Sequence, residues 1–76
     1  MEIIRNILEE LHPEYHYTES ENFIEDGFLD SFDMVTLIAE LEERFHVTID
    51  ALDIVPENFI SVETIAKMVQ KNGGTI

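Results

Sequence analysis

Cysteine is absent from the 76 residues of this chain. That excludes a disulfide framework, a thiolate metal site and a cysteine nucleophile at once. Positive charge is almost as scarce. Four Lys and Arg stand against seventeen Asp and Glu, for a formal net charge of −13, and no Lys or Arg occurs between Arg5 and Arg44. Such a chain repels phosphate backbones and anionic lipid, so nucleic acid and membrane surfaces are poor partners, whereas a protein carrying a Lys/Arg patch is a good one. Long apolar runs are missing too. Met1 is followed by Glu2 and only a short hydrophobic stretch, so we expect neither a signal peptide nor a membrane span, and a cytoplasmic location. Repeats and low-complexity segments are absent, which leaves one domain over residues 1–76 with a flexible tail at Gly73-Gly74-Thr75-Ile76. A domain this small buries only about 60% of the surface its unfolded chain exposes, so modest stability is expected.

What is present is helical patterning. Ile4, Ile7, Leu8 and Leu11 repeat at the spacing of one buried stripe, which predicts a helix over about residues 2–11, ended by Pro13. A second helix is predicted from Ser31 to Phe45. On its wheel Met34, Leu37, Ile38, Leu41 and Phe45 share an arc, with Asp33, Thr36, Glu40 and Glu43 roughly opposite. A third begins at the N-cap Ser61, buries Val62, Ile65, Ala66 and Val69, and stops before Gly73. A short helical turn between Leu52 and Phe59 is compatible with Pro56 at its start. The connection from His12 to Asp30 is long for a compact domain, but Tyr15, Tyr17, Phe23, Ile24, Phe28 and Leu29 supply side chains that would pin it to a core. The fold class expected is all-α: a small three-to-four-helix up-down bundle with a long first loop.

The most informative stretch is Asp26-Gly27-Phe28-Leu29-Asp30-Ser31-Phe32-Asp33-Met34-Val35, where a turn runs into the second helix and places the Ser31 hydroxyl at a helix N-terminus. The plain structural explanation is a helix N-cap. The functional one is that a phosphate on this oxygen would sit at unpaired N–H groups and the positive end of the helix dipole.

The wider sequence resembles acyl carrier proteins and the related D-alanyl and peptidyl carriers. The Asp30-Ser31 pair is followed by Val35-Thr36-Leu37-Ile38-Ala39-Glu40-Leu41-Glu42-Glu43-Arg44-Phe45, similar to the family's second helix. Val47-Thr48-Ile49 and Pro56-Glu57-Asn58-Phe59-Ile60-Ser61-Val62-Glu63-Thr64-Ile65-Ala66 are similar to the segments that lead to its last helix. The resemblance implies that Ser31 carries 4′-phosphopantetheine, transferred from coenzyme A by a phosphopantetheinyl transferase with Mg²⁺. An acyl- or aminoacyl-activating ligase would load the arm's thiol. A downstream acyltransferase or synthase with a basic docking patch would take the cargo. On this reading the chain is a free-standing, monomeric acyl carrier rather than an enzyme, and serves fatty acid or secondary-metabolite biosynthesis.

Two features bear on cargo and docking. Gly27-Phe28-Leu29-Asp30-Ser31 is closer to D-alanyl and peptidyl carriers, whereas Asp33 and the Leu41-Glu42-Glu43-Arg44-Phe45 ending resemble acyl carriers, so an aminoacyl or peptidyl carrier is the alternative. Val35 and Ala39 lie on the flank of the core stripe. With Asp30, Asp33, Glu40, Glu42 and Glu43 around them they form a candidate docking surface, apolar at its centre and charged at its rim; the competing explanation is the edge of a wide buried stripe.

Other constellations are weak. His12 and His16 have chelating i, i+4 spacing, but Pro13 interrupts it, and His46 reads as a residue at the end of the second helix. Glu25-Asp26 lacks the ligand pattern of a calcium loop, while Asp50, Asp53 and Glu57 would collect divalent ions only loosely. Nothing in the sequence brings a histidine to Ser31 as a base. Two different classes stay open: an acidic helical adaptor that binds a basic protein without a covalent arm, and a calcium or metal buffer that exploits the same acids.

Overall fold

The computed structural model describes residues 2–17 and 20–75. They form helices α1 (Glu2–Leu11), α2 (Ser31–Phe45) and α3 (Val62–Lys71), with 3-10 turns at Ala51–Asp53 and Pro56–Phe59 between the last two. Among the described residues there is no strand. The all-helical bundle expected from the sequence is what forms, with principal extents of 29 × 22 × 19 Å.

Each helix contributes one stripe to a shared core. Ile4, Ile7 and Leu8 of α1, Leu37 and Leu41 of α2, and Ile65, Ala66, Met68 and Val69 of α3 are buried, with Phe23, Leu29, Ile49 and Phe59 from the connections. A fully buried Leu, Ile or Phe contributes roughly 1.5–3 kcal/mol relative to exposure. Met68 was not among the residues expected inside, and Val62 is only partly covered.

The expected polar back of α2 needs correction. Asp33, Thr36 and Glu40 are half-buried rather than solvated, because α1 packs along that flank. Arg44 ties the two helices together there: its guanidinium donates to Glu10 at 2.6 Å and to Glu40 at 3.1 Å. A helix with neighbours on more than one side has no single outward face, which a wheel alone does not show.

The long first connection is pinned as expected. Tyr17, Phe23 and Leu29 are buried, and Tyr15, Ile24 and Phe28 pack against the core. Tyr15 stacks on Phe28 with centroids 4.7 Å apart, and Tyr17 meets Phe23 edge-on at 5.2 Å. Burial pushes the Tyr17 phenol up to about 12, with nearby Asp33 adding to the effect. The backbone is secured as well. Phe23 N–H donates to Ile60 O at 2.8 Å, and Asn22 Oδ1 accepts from Ile24 and Glu25 N–H. Gly27, at φ 75°, turns the chain back so that Phe28 and Leu29 N–H both reach Phe23 O.

The turn at Ala51–Asp53 is held to the end of α3 by one buried acid. Asp53 Oδ1 accepts from Lys71 Nζ at 2.6 Å and Asp53 Oδ2 from Asn72 Nδ2 at 3.0 Å. Lys71, then Asn72, hold its carboxyl below the usual aspartate range. The loose ion collector expected at Asp50, Asp53 and Glu57 is therefore a clamp in part, since Asp50 is also engaged, capping Leu52 N–H at 2.9 Å. The tail expected at 73–76 begins as a helix closure: Gly73 N–H reaches Gln70 O and Gly74 N–H reaches Val69 O, with Gly73 at φ 95°. Ile76 lies outside the described residues.

Candidate functional site

The start of α2 is built by Asp30, not by Ser31. Asp30 has an extended backbone, φ −107° and ψ −175°, and its Oδ1 accepts from Asp33 N–H at 2.8 Å while Asp33 Oδ2 accepts from Asp30 N–H at 3.3 Å. This is a reciprocal capping box, which satisfies two donors at the helix end. Leu29 and Met34 occupy the two positions of a hydrophobic staple and both join the core cluster. Ser31 therefore stands one residue inside the helix. The plain explanation of Ser31 as the cap is overturned, because the Asp30 carboxylate already fills that role.

That displacement matters for chemistry. A capping serine spends its oxygen on a backbone N–H, whereas the Ser31 side chain is on an exposed residue in the first turn. Its own N–H and that of Phe32 precede any intrahelical acceptor. The hydroxyl thus stands in the open, near the positive end of a 15-residue helix.

The residues expected around it divide into two groups. Val35 is 68% exposed, and Ala39 and Glu43 are exposed. The others are engaged within the molecule. Asp30 is an exposed residue whose carboxylate caps α2. Asp33 has a side chain only 14% exposed and accepts from His12 Nε2 at 2.8 Å. Glu40 holds Arg44, and Glu42 Oε2 accepts from Ile49 N–H at 2.9 Å, anchoring the segment that leaves α2. Asp33, Glu40 and Glu42, expected on the acidic rim of a docking surface, thus each also make an internal tie.

Phe32, not among the residues expected on the surface, is 78% exposed. Its signal was legible: residues 32, 35 and 39 follow i, i+3, i+7 along one ridge of the helix. By spacing alone His12 is half of a weak metal pair. Instead it places Nε2 on Asp33 and Nδ1 at 3.5 Å from Glu14, and the Asp33 hydrogen bond raises its pKa above the ordinary 6.5 against the opposing effect of burial. His46 ends α2 through its backbone, in the left-handed conformation at φ 55°, with its N–H on Glu42 O.

Comparison with known proteins gives this geometry its context. Residues 1–70 match the family model described as "Phosphopantetheine attachment site". The chain is 38% identical over 69 residues to "Aminoacyl carrier protein 1" of Bradyrhizobium diazoefficiens, an alignment covering 91% of this chain and 76% of that protein. No solved structure matches. Matches that run through all three helices and the connection ahead of Ser31 mean that the chain belongs to the phosphopantetheine-binding carrier protein family.

Proposed function

We propose that the chain is a carrier whose 4′-phosphopantetheine arm is esterified to the Ser31 hydroxyl and whose cargo is an acyl group of the aminoacyl class. The observation that supports the site is the exposed serine in the first turn of α2, freed from capping by Asp30, in a chain whose family match covers residues 1–70. The residues present suit the group. An exposed hydroxyl admits a bulky transferase, and the first N–H groups of α2 favour a phosphodiester. The arm supplies a flexible terminal thiol that holds the cargo as a thioester. The chain's own residues do the rest: Asp30 and Asp33 fix the turn, Leu29 anchors it to the core, and tethering raises the effective concentration of the cargo at a partner's active site.

The aminoacyl reading draws on the printed name of the 38% identical relative and on Phe28-Leu29 ahead of Asp30-Ser31. The broader acyl carrier remains the second reading, supported by the Leu41-Glu42-Glu43-Arg44-Phe45 ending. The partners are a phosphopantetheinyl transferase, an activating ligase and a downstream acceptor enzyme. Phe32, Val35, Ala39 and Glu43 form the surface these enzymes meet, with an apolar centre and negative charge that suits a basic patch. In this role the chain is a substrate of enzymes.

Intact mass after incubation with coenzyme A, Mg²⁺ and a broad-specificity transferase tests the site. One arm on the wild type and none on Ser31→Ala is the expected result; an arm retained by Ser31→Ala overturns it. Loading the holo protein then tests the cargo. Amide shifts confined to residues beside Ser31 fit an aminoacyl group that stays outside, whereas shifts reaching Leu41, Ile54 and Ile65 fit a long apolar chain drawn into the bundle.

A further inference from the structure

His12 and Asp33 are 21 residues apart in sequence and joined by a 2.8 Å hydrogen bond, and that bond touches the turn before Ser31. The same Asp33 Oδ2 that receives His12 Nε2 also accepts from Asp30 N–H at 3.3 Å, while Asp33 N–H binds Asp30 Oδ1. A continuous relay therefore runs from His12 through Asp33 to Asp30, the residue that precedes Ser31. His12 is itself held. Its N–H donates to Leu8 O at the end of α1, a helix C-terminus that favours a cation, and its ring lies 4.7 Å from the Tyr15 ring, which stacks on Phe28.

We propose that His12 is a positioning residue for modification of Ser31: as imidazolium it latches Asp33 into the capping box and orders the turn that presents the hydroxyl, so presentation weakens as the ring loses its proton. The inference rests on Ser31 being the modified residue.

The charged groups facing the ring are Asp33 from α2 and Glu14 from the loop, the latter 3.5 Å from Nδ1. An imidazolium donates from both nitrogens. A neutral ring has one donor, so a tautomer that keeps Nε2–H on Asp33 turns a lone pair toward Glu14. The protonated form is therefore the one that suits both carboxylates. Tyr17, close enough to Asp33 to be influenced by it, stays neutral throughout because its phenol is pushed up to about 12. The sign follows from the raised His12 value: the latch contributes fully below about pH 6.5 and is lost as pH rises through the folded-state pKa.

Two measurements test this. In the first, the His12 ring is titrated by NMR in wild type and in Asp33→Asn, and exchange of the Asp30 and Asp33 amides is followed across pH 5.5–8.5. His12 should titrate above 6.5 and fall in Asp33→Asn. Both amides should open about fivefold more often at the alkaline end, the difference between a charge-assisted and a neutral hydrogen bond. In the second, transferase rates on wild type are divided by those on His12→Gln at each pH, which cancels the titration of the transferase itself. A ratio above one at pH 6 that approaches one at pH 8.5, with His12→Lys restoring the acidic rate and removing the pH dependence, supports the latch. A flat ratio, or amide exchange identical in wild type and His12→Gln, overturns it. Failure of every variant and the wild type to accept the arm would instead sink the Ser31 assignment, and the NMR arm would still decide the latch.

Discussion

Two neighbouring side chains at the start of α2 do separate work, and substitution should separate them. Asp30→Ala removes the cap and its reciprocal partner, so it should cost about 1 kcal/mol in urea unfolding. Ser31→Ala removes an exposed hydroxyl one residue into the helix and should change stability by less than about 0.5 kcal/mol while abolishing modification. Equal losses for the two would mean that Ser31 shares the capping role. His46 offers a second residue-scale test. It is exposed and holds φ 55°, a conformation that favours glycine at a helix end. His46→Gly should therefore raise stability by about 0.5–1 kcal/mol, and a fall on thermal or urea unfolding would show that the imidazole makes a contribution beyond its backbone.

At the scale of elements, α2 presents different chemistry on its different sides. Leu37 and Leu41 face the core, Glu40 and Arg44 lie toward α1, and Phe32 and Val35 stand in solvent. Charge reversals on this helix are consequently not equivalent. Glu40→Lys breaks an internal tie to Arg44, so a slowed reaction would have two causes. Glu43→Lys, Phe32→Asp and Val35→Asp act on the exposed ridge alone. Each should slow transfer to Ser31 with little change in helical circular dichroism, and the Glu43→Lys effect should shrink with added salt, since screening acts over about 8 Å at physiological ionic strength. Unchanged rates for all three at low salt would remove the ridge from the docking surface.

Across the whole molecule, a net charge of −13 on 76 residues makes self-repulsion a standing cost of the compact state. Added salt should raise the melting temperature, and it should do so without self-association, because exposed apolar residues are few beside the acidic surface. Sedimentation of holo protein checks the second half. The pH profile combines three effects. Mild acidification relieves repulsion and charges His12, whose stabilisation is complete below about 6.5. Further acidification then removes the Asp53 clamp, whose contribution is present above about 3.8 and lost as pH falls through the depressed folded value. The melting temperature should therefore pass through a maximum between about pH 4 and 6. Asp53→Asn should blunt the acid limb and His12→Gln the alkaline one; a profile rising steadily to pH 8 would contradict the His12 assignment, and one with no fall below about pH 4 the Asp53 assignment.

What the sequence determined by itself was local. The stripe of α1, the bounds of α2, the Ser61 cap of α3 and the turn that delivers Ser31 are short-range consequences of periodicity, capping chemistry and glycine placement. The aromatic residues that pin the long loop were legible for the same reason, since hydrophobic side chains in a segment without helical hydrogen bonds need a core to cover them. What only the tertiary structure decided was which polar groups meet. Asp33 looks solvent-facing on a wheel, yet the chain just after α1 brings His12 against it, and Glu40 shares Arg44 of its own helix with Glu10 of α1. Asp53 looked like a loose acid until the end of α3 supplied Lys71 and Asn72. Side-chain pairing across 18 to 34 residues depends on how helices cross, and neither spacing nor propensity along one helix carries that information.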